Sequence, residues 1–274
     1  MNTVEAIFTW TGLFLYVITF ALYLAGVIFK KENWLTPAWR IFLGAFMLET
    51  AAIAVRWIAA GHPPVQGSYE NALLGGWFVA LIFAASSLRI KKVRFVTPFV
   101  AGVVVIIIGL GLKNPAQIEM LTPPYRSNWL WIHVSFAWLA FSSFIVAAII
   151  GGMFLWRTRE DRDSGFSFFN VALNLEEVDR LILGFIGYGF ISQILMIASG
   201  AIWASNLWGS YWSWDPVETW SLICWITYGL ILHLRLTMGF KGRRMAWLAV
   251  GAVVTSIICF WGIGAGTGVH TPLL

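Results

Sequence analysis

Charge is scarce in this chain. Of its 274 residues only 11% are Asp, Glu, Lys or Arg, less than half of the roughly 25% usual in soluble domains. Hydrophobic residues make up 59% and the mean hydropathy is +0.78, more apolar sequence than one soluble core of this size can bury. An ordinary globular enzyme and a disordered protein are thereby excluded. Cysteine is scarcer still. Cys224 and Cys259 are the whole complement and form no Cys-x-x-Cys, so neither a disulfide scaffold nor a thioredoxin-like pair is present; both read as small buried apolar residues. No Walker-type loop, Gly-x-Ser-x-Gly elbow, zinc-spaced Cys/His cluster, internal repeat or low-complexity linker occurs.

Long apolar runs are plentiful instead. A membrane-spanning helix needs about 20 mostly apolar residues, and eight stretches qualify: 6–29, 38–60, 70–88, 95–112, 129–156, 181–202, 218–239 and 245–265. The connections are short, so 1–274 reads as a single polytopic membrane domain, an all-α bundle of about eight transmembrane helices. The first stretch lacks a basic start and is too long for a signal peptide. The net charge of +5 would suggest nucleic acid in a soluble chain. Here the basic residues sort by connection. Segments 30–40, 89–94, 157–180 and 241–244 hold fourteen Lys and Arg, the alternate connections hold only Lys113 and Arg126, and Arg56 and Arg235 fall within helices. That asymmetry is a positive-inside signal. It predicts both termini on the outer, non-cytoplasmic side and removes nucleic acid as a partner.

On this topology His62, His133 and His270 fall at or near the outer face. His233 differs: about 22 Å along helix seven at 1.5 Å per residue, it is expected at membrane depth, where ionisable groups are costly and usually functional. Gly229, one turn earlier, leaves room beside its ring; bonding across to a neighbouring helix is the alternative. Five of the seventeen Trp fall within 203–220, a connection without Lys or Arg. Trp and Tyr collect at membrane interfaces, and Asp215-Pro216-Val217-Glu218 reads as an N-cap, a first-turn proline and a capping box. These two carboxylates therefore need no catalytic role. An interface belt would spread over many helix ends, however, whereas a concentrated Trp loop between histidines makes a flat apolar platform. That combination suggests haem, whose iron takes axial imidazoles.

The stretch Trp208-Gly-Ser-Tyr-Trp-Ser-Trp-Asp-Pro-Val-Glu-Thr-Trp220 closely resembles the "WWD" signature of the cytochrome c assembly, haem-handling membrane protein family. Trp225 to Arg235 resembles the helix that follows it. Tyr69-Glu70-Asn71 resembles an earlier Tyr-Glu-Ser/Asn element, and Gly266-Thr-Gly-Val-His270 a late glycine-containing element that ends in His. Length, helix number and outward termini fit the CcsA/ResC branch, the channel half of the System II cytochrome c synthase. Val217 departs from the pattern, since many members carry Lys there, and this weakens a basic propionate contact at that position.

The resemblance implies transport of haem b across the membrane. At an outer site, residues 203–220, the haem is presented for thioether attachment to the Cys-x-x-Cys-His motif of apocytochrome c. By position His133 and His270 match the two outer axial ligands of the haem iron. His233 matches an intramembrane ligand whose opposite comes from a CcsB/ResB-like membrane subunit. Trp208, Trp212, Trp214, Asp215 and Trp220 match the haem-binding platform. No separate acid or base catalyst is implied, because proximity and orientation can suffice; the chain would be one subunit of a haem lyase or synthase complex. Reductant must come from a separate thiol-reducing pathway. The location implied is a bacterial inner membrane or a thylakoid, in contact with membrane lipid, with the site on the periplasmic or lumenal face.

Other readings are a permanent b-haem electron-transfer protein, which usually pairs deep histidines, a haem-delivery protein serving a separate chaperone, and a scaffold or solute transporter without haem. His62 reads as a satisfied loop histidine or a transient haem relay. Arg126 reads as an interface anchor or a propionate partner. Glu49 and Arg56, seven apart on helix two, are too distant for a direct pair. Arg56 can snorkel outward, and Glu49 is expected to bond inside the bundle.

Overall fold

The computed structural model describes residues 1–29, 31–159 and 175–262. Every regular element among them is helical, as lipid demands: a helix satisfies its own backbone where no water can. The helices are α1 (Thr3–Ile28), α2 (Leu35–Ala60), α3 (Gly67–Arg89), α4 (Thr97–Gly111), α5 (Asn128–Arg159), α6 (Leu175–Trp208), α7 (Pro216–Thr237) and α8 (Arg243–Ile257). A 3-10 segment, Lys91–Val96, leads into α4, and a π-helical turn, Ile258–Gly262, continues α8. Among the described residues eight helical stretches are long and apolar enough to cross a membrane, in agreement with the sequence reading. The ends follow local chemistry. Asn2 Oδ1 accepts from the Glu5 amide at 2.7 Å to open α1. Gly61, at φ +73°, closes α2 with its N–H on Trp57 O, the left-handed cap that glycine adopts without strain.

Two compact units follow one another, Met1–Thr122 and Pro123–Leu274. In the first, α1 packs on α2 and α4, and α3 on α4. Polarity on α1 is inverted relative to a soluble helix. Glu5, Thr9, Gly12, Tyr16, Thr19 and Tyr23 recur at helical spacing and are all buried. Ile7, Trp10, Phe14, Val17 and Leu24 are exposed. In lipid the apolar side needs no burial, so the polar side turns inward to find partners. Edge-to-face contacts Tyr16–Phe42 and Phe42–Phe83, with centroids 5.2 and 5.0 Å apart, make the aromatic centre of this unit.

In the second unit α5 packs on α6 and α8, and α7 on α6 and α8. Small residues permit close approach. A Cβ at Gly151 would lie 3.0 Å from Ala246 O, and one at Gly189 2.5 Å from the Phe144 ring. Phe144 stacks on Tyr228 at 3.5 Å, and Trp138 and Phe141 meet Phe260 and Trp261 of the π turn. Arg235 pairs with Asp179 at 2.6 Å, and Asp179 Oδ1 accepts from the Gly242 amide at 2.7 Å, joining the end of α7 to the start of α6. Cys224 is buried and Cys259 half-buried, both as free thiols; Cys224 meets the Ser256 hydroxyl at 3.5 Å.

Candidate functional site

The Trp-rich stretch 203–220 is only partly a loop. α6 runs on to Trp208 because no residue breaks it before Gly209, which takes φ +76°. Pro216 then starts α7, so the non-helical connection is 209–215. Its shape is set by one carboxylate. Glu218 Oε2 accepts from the Ser213 amide at 2.7 Å, the Ser213 hydroxyl at 3.2 Å and the Asp215 amide at 3.3 Å. Asp215 Oδ1 accepts from the Val217 amide at 2.8 Å, completing the capping box anticipated from the sequence. The Ser213 and Asp215 amides converge on this one oxygen across a residue at positive φ, as in an anion nest. That residue is Trp214, the one non-glycine at positive φ (59°) among the described residues. The cap thus holds a bulky aromatic in a strained conformation, of order 1–3 kcal/mol. It leaves the Trp214 indole 69% exposed, with Trp212 edge-on at 5.7 Å. Trp220 lies half-buried in the first turns of α7.

His133 sits six residues into α5, half-buried against α6. Its Nδ1 lies 2.8 Å from Met196 O. A carbonyl only accepts, so Nδ1 carries the proton and the ring's lone pair is at Nε2. Gly200 faces the same ring: a Cβ there would lie 2.6 Å from Nδ1. Trp203, one turn further along α6, stacks on the imidazole with centroids 6.4 Å apart and planes at 22°. The Trp203 indole N–H donates to Pro124 O at 3.0 Å, and Trp208 meets Trp203 edge-on at 5.2 Å. His133, Trp203 and Trp208 therefore form one row leading to the 209–215 connection. Sequence reading found His133 and Trp208 but missed Met196 and Gly200. The spacing 196, 200, 203 on one helix face, with a glycine inside a long helix, was the available signal.

His233 lies on an exposed face of α7, four residues before its end, about 26 Å from Pro216 at 1.5 Å per residue. It hydrogen-bonds with the Thr237 hydroxyl at 3.3 Å. The space at Gly229 is not kept for this imidazole. A Cβ there would meet Phe190 at 3.2 Å, because Phe190 leans over α7 to stack on Trp225 at 5.3 Å. His270 lies outside the described residues.

Arg56 does not snorkel; it is 1% exposed. Its Nε donates to Glu70 Oε1 at 2.8 Å, Nη1 to Glu5 Oε1 at 3.2 Å and to Ala116 O at 2.9 Å, and Nη2 to Gln117 O at 2.9 Å. The guanidinium lies over the Tyr69 ring at 4.9 Å, and the Tyr69 hydroxyl donates to Glu5 Oε1 at 2.9 Å. The Tyr69-Glu70 element thus serves this buried net, which clasps α1, α2, α3 and the segment after α4. His62 is buried, with Nδ1 2.9 Å from Pro63 O and Nε2 3.2 Å from Glu119 O. A neutral imidazole can donate to only one of these two carbonyls, and both contacts lie within the connections of this unit. Glu49 bonds inside the bundle, accepting from the Tyr16 hydroxyl at 2.7 Å. Arg126 is exposed just before α5. No group of three or more His, Cys, Asp or Glu placed to hold a metal ion occurs among the described residues.

Fold and site together define an integral membrane protein of all-helical, polytopic architecture, with a capped, tryptophan-rich connection next to a helix histidine. The family model for the cytochrome C assembly protein matches residues 66–270, and the chain belongs to that family. Among its relatives, the cytochrome c biogenesis protein CcsA of Guillardia theta is 31% identical over 278 residues, covering 93% of this chain and 92% of that protein. CcsA of Synechococcus sp. (strain RCC307) is 32% identical over 257 residues, covering 84% and 83%. A solved structure, Cytochrome c Heme Lyase CcmF, superposes with TM-score 0.69 at 18% identity over 93% of this chain and 46% of that one, a likeness of fold.

Proposed function

We propose that this cytochrome c assembly protein carries haem b, as substrate, across the membrane. At the outer end of α5–α7 it presents the haem for thioether attachment to the Cys-x-x-Cys-His motif of apocytochrome c. The observation that carries the reading is the row His133–Trp203–Trp208 beside the cap-strained Trp214 and its edge-on neighbour Trp212. An imidazole fixed with its lone pair on Nε2 suits an iron centre. The exposed Trp214 indole, with Trp208 and Trp212 half-buried nearby in the chain, suits a large planar ring. The donor set among the described residues therefore fits haem.

Each thioether forms when a cysteine S–H adds across a vinyl group, sulfur to one carbon and hydrogen to the other, with no net redox change. The site's task is then to hold the ring, orient its vinyl edge and exclude water, which proximity can supply. His133 and His270 act as the axial ligands at this outer site. His233 acts deeper, its exposed position on α7 suiting a second ligand from a CcsB/ResB-like subunit. Asp215 acts through the cap rather than by touching haem. Fourteen basic residues on alternate connections against two support the outward placement of the site. The cysteine thiols of the apocytochrome are kept reduced by a separate thiol-reducing pathway.

The test is the visible spectrum of the detergent-purified protein, co-expressed with its partner subunit, oxidised and reduced. A six-coordinate b-type spectrum that is diminished or shifted in His133→Ala/His270→Ala is expected. An unchanged spectrum in that double variant overturns the outer assignment, and absence of haem with the partner present overturns the haem reading itself.

A further inference from the structure

We infer that Gly200, acting with the carbonyl of Met196, is the positioning residue that fixes the tautomer and the aim of His133. The inference rests on the reading of His133 as an iron ligand only for its consequences, not for its geometry. Glycine inside a helix is unfavourable by about 1 kcal/mol relative to alanine, and at 200 the structure shows what the missing Cβ makes room for. Helical side chains lean back over the preceding turn. A side chain at 200 would therefore cover the Met196 carbonyl, one turn earlier. With no Cβ at 200 the imidazole of His133 fills that space. The position a Cβ would take lies 2.6 Å from Nδ1, 2.9 Å from Cε1 and 3.5 Å from Cγ. From there Nδ1 reaches Met196 O at 2.8 Å.

The bond does two things. It holds the proton on Nδ1 and the lone pair on Nε2. It also sets the ring's rotation, since turning the ring over would put carbon where Nδ1 now sits; the stacked Trp203 ring holds the same plane. Ser199 shares the Met196 carbonyl but leaves the imidazole the shorter contact, a carbonyl oxygen having two lone pairs. Its hydroxyl is turned to Leu195 O at 2.6 Å and Met196 O at 3.1 Å. Not every glycine of α6 has such a role. A Cβ at Gly184 or at Gly187 would meet nothing within 4 Å, so these are internal controls on the same helix.

A histidine that donates its second ring N–H to a carbonyl is a more basic ligand through the other nitrogen, and loss of such a partner typically weakens metal binding about 10- to 100-fold. Gly200→Ala is therefore expected to loosen haem at the His133 site by that factor. It is also expected to raise the haem reduction potential, because a less basic imidazole stabilises the ferric state less.

Two measurements test this. The first uses the haem-free protein with 15N-labelled histidine and reads the His133 tautomer by NMR, the resonance being assigned by its loss in His133→Gln. The Nδ1–H form is expected in wild type and in Gly187→Ala, and its loss in Gly200→Ala. The second uses the complex with the partner subunit and reads the haem spectrum and potential, with added imidazole. Gly200→Ala is expected to shift both, with imidazole restoring the wild-type spectrum; Gly187→Ala is expected to shift neither. An Nε2–H tautomer in wild type overturns the inference without any variant, so it stays testable if Gly200→Ala does not accumulate. Gly200→Ala matching Gly187→Ala in tautomer and spectrum also overturns it. If the tautomer responds to Gly200→Ala while His133→Ala leaves the haem spectrum unchanged, the positioning stands and the reading of His133 as a ligand fails.

Discussion

Arg56 is the residue on which the first unit depends. Its guanidinium places four hydrogen bonds on two carboxylates and two backbone carbonyls, from positions 14, 51, 60 and 61 residues away. Breaking a buried ion pair from one side leaves uncompensated charge and costs about 3–5 kcal/mol. Arg56→Ala should lower the thermal unfolding midpoint of the purified protein sharply. Arg56→Lys should rescue little of it, because a point charge cannot replace the planar fork. A variant as stable as wild type would contradict the clasp. His62 gives the opposite expectation. Both of its ring nitrogens already face carbonyls, so His62→Ala should leave haem retention and its spectrum unchanged, and a changed spectrum would restore the relay reading. At this scale the sequence was uneven as a guide. Helix period and depth sufficed to mark His133, Glu49 and Arg56 as unusual. The partners of Arg56 come from three other segments far along the chain, and no local pattern encodes that meeting.

Among the elements, the start of α7 was readable in full from Asp215-Pro216-Val217-Glu218, because capping is a matter of four consecutive residues. What spacing could not reveal is that Glu218 also bends the chain through Trp214. The end of α6 was placed six residues too early, since tryptophan and serine clusters read as loop although neither breaks a helix. The strain makes a specific prediction. Glycine adopts φ 59° without penalty, so Trp214→Gly should hold or raise the unfolding midpoint while lowering haem retention. A fall in both would show that the ring stabilises the fold rather than serving a ligand. Glu218→Ala removes three hydrogen bonds at once and should cost more than the ~1 kcal/mol of an ordinary N-cap loss, read in the same melting experiment.

Across the whole molecule, apolar run length alone identified eight spanning helices, because the bilayer imposes one length and one backbone geometry. The inverted polarity of α1 was also latent in the sequence, with polar residues at helical spacing in an apolar run, yet only the fold tells which side faces inward. The order of helices in space was not legible, since it depends on contacts such as Gly151 on Ala246 and Gly189 on Phe144 that have no signature beyond a small residue. The distribution of basic residues predicts that cysteines introduced at the N-terminus and at 209–213 react with a membrane-impermeant thiol reagent from the outside, whereas cysteines at 241–244 do not. The reverse pattern would place the tryptophan-rich connection on the cytoplasmic face.

The central claim is that the row from His133 to the capped tryptophans holds haem for transfer rather than for keeping. The most direct measurement supplies the haem-loaded complex with a Cys-x-x-Cys-His peptide under reducing conditions and reads peptide mass together with the haem spectrum. The account predicts a covalent haem–peptide adduct with two thioether bonds. It predicts that the adduct is lost in His133→Gly, and that it is regained on adding imidazole. Haem that stays bound to the complex, with peptide unmodified in wild type, would contradict it and make the chain a resident b-haem protein.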